Sequence, residues 1–335
     1  MTQAISTDKN TGGKAYIVTG PTSGIGRATA LELARHGTVV LVGRNPRKLD
    51  EIQTVIRQKG QRAVSVVCDL SDMASVRRAA AEIVALDLPI VGLLNNAGLH
   101  ETRATKSAQG WDRTFATNHL GPFVLTEALI PHLPGGANIV FVASGAEDPK
   151  RKPARVAGFR GGRYISAEAS ARGEWLPGGS TQPGADAYAT SKQAVLAAAL
   201  ELSRENPQLH VNAVEPGFSP DTTLSRDAGI FVRVLLKYVL TLFAPFVRYW
   251  STSRRAAQVI TNVLMNESGR TGVYYDERGR SMLASQRVRD PAFTARVVAE
   301  TRTLTHTLLA DDPEKSRTGM IAQEKRAEEG EAQHG

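Results

Sequence analysis

The sequence has 335 residues, of which 41% are hydrophobic and 22% are charged, and its formal net charge is +8. These proportions are typical of a soluble globular protein. The single cysteine, Cys68, excludes an internal disulfide bond and favours a reducing compartment, and its place in an apolar run predicts a buried, inert thiol.

Apolar runs alternate with helical patterns along the chain. Strands are predicted at 15–19, 38–43, 63–68, 90–94, 138–143, 209–214 and 272–275. Helices are predicted at 24–36, 45–58, 72–85, 110–131, 187–204, 251–266 and 291–309. This alternation predicts right-handed crossovers between parallel strands. Because the strands are apolar throughout, we expect helices to cover both faces of the sheet.

A glycine-rich turn over residues 19–26 joins the first predicted strand to the first predicted helix. Gly20 permits a tight turn, Gly24 lets the backbone approach a pyrophosphate, and Gly26 lets the helix pack close to the strand. The helix N-terminus offers free N–H groups and the positive end of its dipole to phosphates. This order of strand, glycine turn and helix predicts a dinucleotide site.

The end of the second predicted strand bears on the choice of cofactor. An acidic residue there would bind the ribose 2′-hydroxyl of NAD and repel a 2′-phosphate. The chain has Gly43 at this end and Arg44 next, and a guanidinium pairs with a phosphate through paired hydrogen bonds. We therefore predict NADP(H) in preference to NAD(H).

Tyr188 and Lys192 are one helical turn apart, so their side chains lie on one face of a predicted helix. A neighbouring ammonium favours the phenolate, and we expect it to lower the pKa of the phenol from its usual value of about 10. Tyr188 is therefore a candidate proton donor or acceptor near neutral pH. Ser144 lies upstream, at the end of a predicted strand.

Together, the two motifs resemble the short-chain dehydrogenase/reductase family, and four further segments agree. Residues 95–98 carry Asn-Asn-Ala-Gly after an apolar run, Asn118 lies in a helical pattern, Ser144 ends an apolar run, and 216–217 carry Pro-Gly after another. The resemblance covers about residues 14–310. It implies an α/β, Rossmann-type fold: a doubly wound parallel sheet of seven strands, in the order 3-2-1-4-5-6-7, within a single domain.

The same resemblance implies reversible hydride transfer between the nicotinamide and a carbonyl carbon. Tyr188 is then the proton donor to the carbonyl oxygen, and Ser144 holds that oxygen by a hydrogen bond. Lys192 binds the nicotinamide ribose, Asn118 holds a water that links Lys192 to solvent, and Asp69 meets the adenine amino group. The residues expected to bind the cofactor are Gly20, Ser23, Gly24, Ile25, Gly26, Arg44, Asp69, Leu70, Asn95, Ala97, Gly98, Tyr188, Lys192, Pro216 and Gly217.

The segment between Ser144 and Tyr188 is longer than the family pattern. Its glycines and prolines predict a loop-like insertion over 146–186 that flanks the active site. Aromatic residues within it, such as Phe159 and Tyr164, are candidate anchors. The insertion resembles that of the retinol dehydrogenase and protochlorophyllide reductase branch of the family, which implies a bulky hydrophobic carbonyl or alcohol substrate.

A second unusual segment follows Pro216-Gly217, where the resemblance implies a substrate lid over 219–250. Apolar residues are concentrated in 228–250, but interspersed charges and a proline argue against a transmembrane span. The segment is a lid over an apolar substrate, a helix on a membrane surface, or a subunit interface. We favour the lid, and peripheral membrane contact stays open, as does the choice between monomer and homodimer.

The two ends of the chain are predicted to be disordered. Residues 1–13 are polar and lack the apolar core of a signal peptide, and residues 311–335 are rich in charged and poor in apolar side chains. These features favour a cytoplasmic protein. The positive charge invites a nucleic-acid interpretation, but no zinc spacing, RNA-binding aromatic motif or helix-turn-helix pattern stands out, so we expect neither a nucleic-acid partner nor a metal.

An alternative hypothesis is a catalytically silent NADP(H)-binding protein that acts as a sensor or scaffold. The joint presence of Asn118, Ser144, Tyr188 and Lys192 argues against it. The sequence therefore favours an NADP(H)-dependent oxidoreductase.

Overall fold

The computed structural model of the protein describes residues 13–182, 184–217, 251–265 and 268–310. Its centre is one sheet of seven strands. They are β1 (Ala15–Thr19), β2 (Thr38–Gly43), β3 (Ala63–Val67), β4 (Ile90–Asn95), β5 (Asn138–Val142), β6 (His210–Val214) and β7 (Tyr274–Tyr275). The predicted strands are confirmed to within two residues at either end.

The strands lie in the order β3-β2-β1-β4-β5-β6-β7, and every neighbouring pair is parallel. This confirms the predicted doubly wound, Rossmann-type sheet. The strand order reverses between β1 and β4, which pair side by side. The strands β1 to β3 extend to one edge of the sheet, and β4 to β7 extend to the other. Open α/β sheets bind ligands at such a point, beyond the carboxyl ends of the strands.

Helices cover both faces of this sheet. They are α1 (Gly24–Leu33), α2 (Pro46–Arg57), α3 (Met73–Ala85), α4 (Arg113–Phe115), α5 (Gly121–Leu129), α6 (Lys152–Val156), α7 (Ala167–Arg172), α8 (Ala185–Glu205), α9 (Ser253–Leu264) and α10 (Pro291–Ala310). On one face of the sheet, side chains of α3, α5, α8 and α10 form a core with Ile17. On the other face, side chains of α1, α2 and α9 form a second core with Val18. Because successive strand residues point to opposite faces, burial of both faces requires apolar residues at every position.

The helix predicted over 110–131 is not uniform. It consists of α4, a π-helical turn over Ala116–Leu120, and α5. A π-helical turn is rare and is often found at functional sites. This one carries Asn118, a predicted catalytic residue.

The insertion over 146–186 was expected to be loop-like, and the structure corrects this in part, because it contains α6 and α7. Ser166 supports α7 by accepting a hydrogen bond from the N–H of Ala169. The Tyr164 ring is fully buried, and its hydroxyl donates a 2.7 Å hydrogen bond to Glu300 in α10. Tyr164 is therefore an anchor, as predicted, and ties the insertion to the helical layer.

The proposed lid over 219–250 and the predicted disordered ends, apart from Gly13, lie outside the described residues. None of the described helices combines the length and the apolar character that crossing a membrane requires.

Candidate active site

Two glycines in the turn after β1, Gly20 and Gly26, leave no room for a side chain. Gly20 has a φ of +67°, a left-handed conformation that favours glycine. A Cβ atom on Gly26 would lie 2.2 Å from the Gly20 carbonyl oxygen, so α1 packs directly on the turn. Ser23 is the N-cap residue of α1, and the buried Ile25 fixes the first turn in the core. The turn and the start of α1 therefore lie close together, an arrangement suited to an anion at the helix N-terminus.

Two residues outside the predicted set, Thr19 and Asn96, tie this turn to the end of β4. The Thr19 hydroxyl donates to the Leu94 carbonyl (3.1 Å) and accepts from the N–H of Asn96 (2.9 Å) and of Ala97 (3.0 Å). The Asn96 side-chain amide donates to the Thr19 carbonyl at 2.9 Å. These bonds hold the two strand ends at the reversal point in one fixed geometry.

Asn95 and Asn96 point in opposite directions, because side chains alternate along a strand. The Asn95 side-chain amide donates a 2.8 Å hydrogen bond to the Thr126 hydroxyl in α5, and Asn95 is buried. Its side chain therefore faces a helix and not the glycine turn. Ala97 and Gly98 continue from Asn96 into the crevice, and a Cβ atom on Gly98 would lie 3.6 Å from the Lys192 ammonium.

Arg44 lies exposed at the carboxyl end of β2, immediately after Gly43. Its guanidinium forms no hydrogen bond or ion pair within the described part of the chain, which leaves its donors available to an anion. Asp69 follows β3, and its carboxylate accepts hydrogen bonds from the N–H (2.9 Å) and hydroxyl (2.7 Å) of Ser71. The buried Leu70 contacts α5 closely, since a Cβ atom on Gly121 would lie 2.0 Å from its carbonyl oxygen.

The four residues predicted to be catalytic converge near the ends of β4 and β5. Ser144 follows β5 directly, and its hydroxyl accepts a 3.3 Å hydrogen bond from the N–H of Ala146. Tyr188 lies in the first turns of α8 and interacts with the Ser144 side chain. Lys192 lies one turn further along the same helix, with its ammonium 5.8 Å from the centre of the Tyr188 ring.

The expected lowering of the Tyr188 pKa by Lys192 is wrong for this structure. The Lys192 ammonium is directed to the Val142 carbonyl oxygen, to which it donates a 2.7 Å hydrogen bond. Burial raises the pKa of the Tyr188 phenol, hydrogen bonding to Ser144 lowers it, and the Glu215 carboxylate raises it. Burial also lowers the pKa of Lys192 to about 8, because a desolvated ammonium loses its hydration.

Asn118 fixes the turn that follows Gly98. Its side-chain oxygen accepts from the N–H of Leu99 (2.8 Å), and its amide donates to the Leu99 carbonyl (2.9 Å) and to the Ser191 hydroxyl (3.0 Å). Ser191 lies between Tyr188 and Lys192 on α8. Asn118 therefore joins the β4 turn to the helix that carries the other candidate catalytic side chains.

Aromatic rings surround the Tyr188 phenol. The ring centres of His100 and Phe159 lie 5.1 Å and 5.6 Å from that of Tyr188, and 5.6 Å from each other. Phe159 belongs to the insertion, which therefore reaches the ring of the candidate catalytic residue Tyr188. His100 was not among the predicted residues. The sequence feature that could have identified it is its position two residues after Gly98.

Pro216 and Gly217 follow β6 at the same edge of the sheet, and both are partly exposed. Glu215, which precedes them, is buried and forms an ion pair with Arg151 from the insertion. Neither partner of this pair was predicted.

Two other titratable residues face the core. The His119 ring contacts the Thr301 hydroxyl at 2.9 Å, and burial lowers the pKa of the imidazole to about 3. Its omission from the predicted site agrees with this position. Cys68 is buried as predicted, and burial raises the pKa of its thiol to about 12, so the thiolate is disfavoured.

Comparisons with known proteins find relatives of this chain. A family model described as short chain dehydrogenase matches residues 14–155. Polyprenol dehydrogenase of Mus musculus is 34% identical over an alignment of 256 residues, and the match covers 73% of this chain and 72% of that protein. Retinol dehydrogenase 13 of Homo sapiens is 30% identical over an alignment of 224 residues, and the match covers 65% of this chain and 62% of that protein.

A solved structure shares the fold. It is that of a putative NAD(P)-dependent gluconate 5-dehydrogenase from Beutenbergia cavernae, with NADP bound at low occupancy. The two chains are 26% identical, with a TM-score of 0.57, and the match covers 81% of this chain and 96% of that one.

Proposed function

The chain belongs to the short-chain dehydrogenase/reductase family, in its retinol dehydrogenase-like branch, and on that premise we propose that it interconverts a carbonyl and an alcohol on a bulky hydrophobic substrate with NADP(H). The observation that carries the proposal is the convergence of Ser144, Tyr188 and Lys192 beside the glycine cradle.

The cradle and its surroundings support a nicotinamide dinucleotide as the cofactor. Gly20, Gly24 and Gly26 would receive the pyrophosphate at the N-terminus of α1. Arg44, exposed at the end of β2, would pair with a ribose 2′-phosphate, which favours NADP(H). When bound, the cofactor supplies or accepts the hydride.

In this proposal Tyr188 moves the proton. During reduction its hydroxyl donates a proton to the carbonyl oxygen, and during oxidation its phenolate removes the proton of the alcohol. Ser144 donates a hydrogen bond to the same oxygen and stabilises the charge that develops on it. Lys192, held by the Val142 carbonyl, would bind the nicotinamide ribose and favour the phenolate when the two side chains approach.

Asn118 acts by positioning. Because its amide is engaged by Leu99 and Ser191, it fixes the turn after β4 against α8. A water that links Lys192 to solvent would then be held by the remaining acceptor capacity of Asn118.

The substrate class is supported by the aromatic surroundings of Tyr188. The rings of His100 and Phe159 bring apolar surface next to the phenol, and burying apolar surface is worth roughly 25 cal/mol per Å². The names of the two relatives, polyprenol and retinol dehydrogenase, point to large apolar alcohols.

We also propose a cytoplasmic location for the protein. Its main domain would comprise residues 14–310, and residues 219–250 would form part of the substrate cover.

A substrate panel tests this function. Purified protein is mixed with NADPH and either long-chain or polycyclic aldehydes and ketones, or short polar ones, and NADPH absorbance is followed. We expect turnover with the apolar group and much lower kcat/KM with the polar group. Tight NADPH binding without turnover of any carbonyl would instead indicate a nucleotide-binding sensor or scaffold.

A further inference from the structure

Arg151 and Glu215 form an ion pair between the insertion and the end of β6. The guanidinium Nη2 lies 2.5 Å from the carboxylate Oε2, and the two side chains are only 19% and 11% exposed. A pair shielded from water interacts more strongly than a surface pair, and loss of one partner leaves an uncompensated charge. The pair joins residues 64 positions apart in sequence.

The pair packs directly against the turn that carries Ser144. A Cβ atom on Gly145 would lie 2.7 Å from Oε1 of Glu215 and 2.9 Å from Nε of Arg151. Glu215 is also the residue immediately before Pro216, and its N–H donates a 2.8 Å hydrogen bond to the Tyr275 carbonyl. One ion pair therefore contacts the insertion, the Ser144 turn and the turn after β6.

The surroundings of the pair are rich in buried acids. Glu147 and Glu277 are 1% and 5% exposed, and burial raises the pKa of Glu147 to about 7. Burial raises the pKa of Glu215 as well, and Arg151 opposes that rise. The titratable and charged groups around Glu215 and Tyr188 are His100, Glu147, Arg151, Lys192, Tyr274 and Glu277.

We propose that the Arg151–Glu215 pair positions the Ser144 turn and balances the charge beside the Tyr188 phenol, so that seating of the insertion is coupled to proton transfer. The coupling to proton transfer rests on the proposed function of Tyr188. Arg151 and Glu215 are positioning residues that act through Ser144 and Tyr188.

The two partners have opposite charges, so their removal shifts the titration of Tyr188 in opposite directions. In Arg151→Met the Glu215 carboxylate is no longer neutralised and disfavours the phenolate, which moves the midpoint to higher pH by about one unit. In Glu215→Gln the carboxylate is absent, and the midpoint moves to lower pH by a similar amount. The double variant lies between the two.

The readout is the near-ultraviolet absorbance of tyrosinate against pH. Each titration is taken as the difference between a variant and the same variant that also carries Tyr188→Phe, which isolates one phenol. Because this measurement needs no turnover, it can support the proposed role of the ion pair even if the proposed enzymatic function is refuted. It can also refute that role even if the enzymatic function is found. Where turnover is found, the pH profile of alcohol oxidation follows the same shifts.

Arg172→Met is the matched control, because it breaks exposed ion pairs with Glu168 and Glu174 within the same insertion. We expect it to leave the Tyr188 midpoint unchanged. Shifts of the same sign in Arg151→Met and Glu215→Gln, or no shift in either, would overturn the proposal. If Arg151→Met does not fold, the proposal is tested with Glu215→Gln and with Arg151→Lys, which keeps the positive charge. A lower midpoint in the first and a wild-type midpoint in the second support the pair, and a wild-type midpoint in Glu215→Gln refutes it.

Discussion

The Lys192 ammonium donates a 2.7 Å hydrogen bond to the carbonyl oxygen of Val142, the last residue of β5. This bond ties α8 to the strand end that leads into Ser144. It therefore fixes the helix that carries Tyr188 relative to the turn that carries Ser144. The ammonium lies 5.8 Å from the centre of the Tyr188 ring, and burial is the largest influence on the pKa of that phenol.

The first prediction concerns cofactor preference. Arg44→Ala removes the proposed partner of the 2′-phosphate, and hydrogen bonds to charged groups are worth about 1.5–3 kcal/mol. The ratio of kcat/KM for NADPH to that for NADH should fall by roughly ten- to a hundredfold. Arg47→Ala, which changes another exposed arginine three residues on, is the control. Equal use of both cofactors by the wild type would refute the assignment of Arg44.

Gly26→Ala tests the phosphate cradle. The added methyl group would meet the Gly20 carbonyl at 2.2 Å, so the turn must move away from α1. We expect a large loss of NADPH affinity in a fluorescence titration, with a cost to stability of about 1–3 kcal/mol. Gly135→Ala is the control, because a Cβ atom there meets nothing within 4 Å. Unchanged NADPH affinity in Gly26→Ala would place the phosphates elsewhere.

Phe159→Ala tests whether the insertion contributes to substrate choice. The ring packs against Tyr188 and His100, and such aromatic contacts are worth about 0.5–1.5 kcal/mol. Loss of the ring should lower kcat/KM for apolar substrates by up to about tenfold and leave NADPH affinity unchanged. Val156→Ala, at a side chain that is 90% exposed in the same insertion, should have no effect. An equal loss for small polar substrates would contradict a role in substrate choice.

The buried His119 should make the folded protein less stable in acid. Burial lowers its pKa from 6.5 to about 3, so the unfolded state binds an additional proton between these values. The free energy of unfolding should therefore fall as the pH drops from 6.5 towards 3, by up to about 1.4 kcal/mol per pH unit from this residue. His119→Gln retains a polar group for Thr301 without titrating. If its stability falls with pH as steeply as that of the wild type, the imidazole is not the cause.

The positions of the strands and helices followed from the sequence, because a sheet buried on both faces imposes long apolar runs that are easy to recognise. The π-helical turn at Asn118 was not predicted, since residues 114–126 are buried on nearly all sides and their pattern therefore does not reveal the helical period. Similarly, the capped helix α7 was hidden by the glycines and prolines that surround it.

The site was predicted where it depends on local spacing and was missed where it depends on tertiary contact. Tyr188 and Lys192 share a helix, so their proximity was visible. Arg151 and Glu215 meet only after β5, the insertion and β6 are assembled, so no local pattern links them. Asn96 was passed over although its neighbour Asn95 was chosen. The alternation of side chains at the end of β4 decides which of the two reaches the glycine turn.

Transfer of a labelled hydride tests the central claim most directly. An apolar carbonyl substrate is incubated with NADPH that carries two deuterium atoms at nicotinamide C4, and the alcohol product is analysed by mass spectrometry. We predict that the wild type places deuterium on the carbinol carbon. Tyr188→Phe should slow this transfer by about 10²–10⁴-fold while it binds NADPH with unchanged affinity. Transfer by Tyr188→Phe at a rate near that of the wild type, or an alcohol without deuterium, would contradict the account.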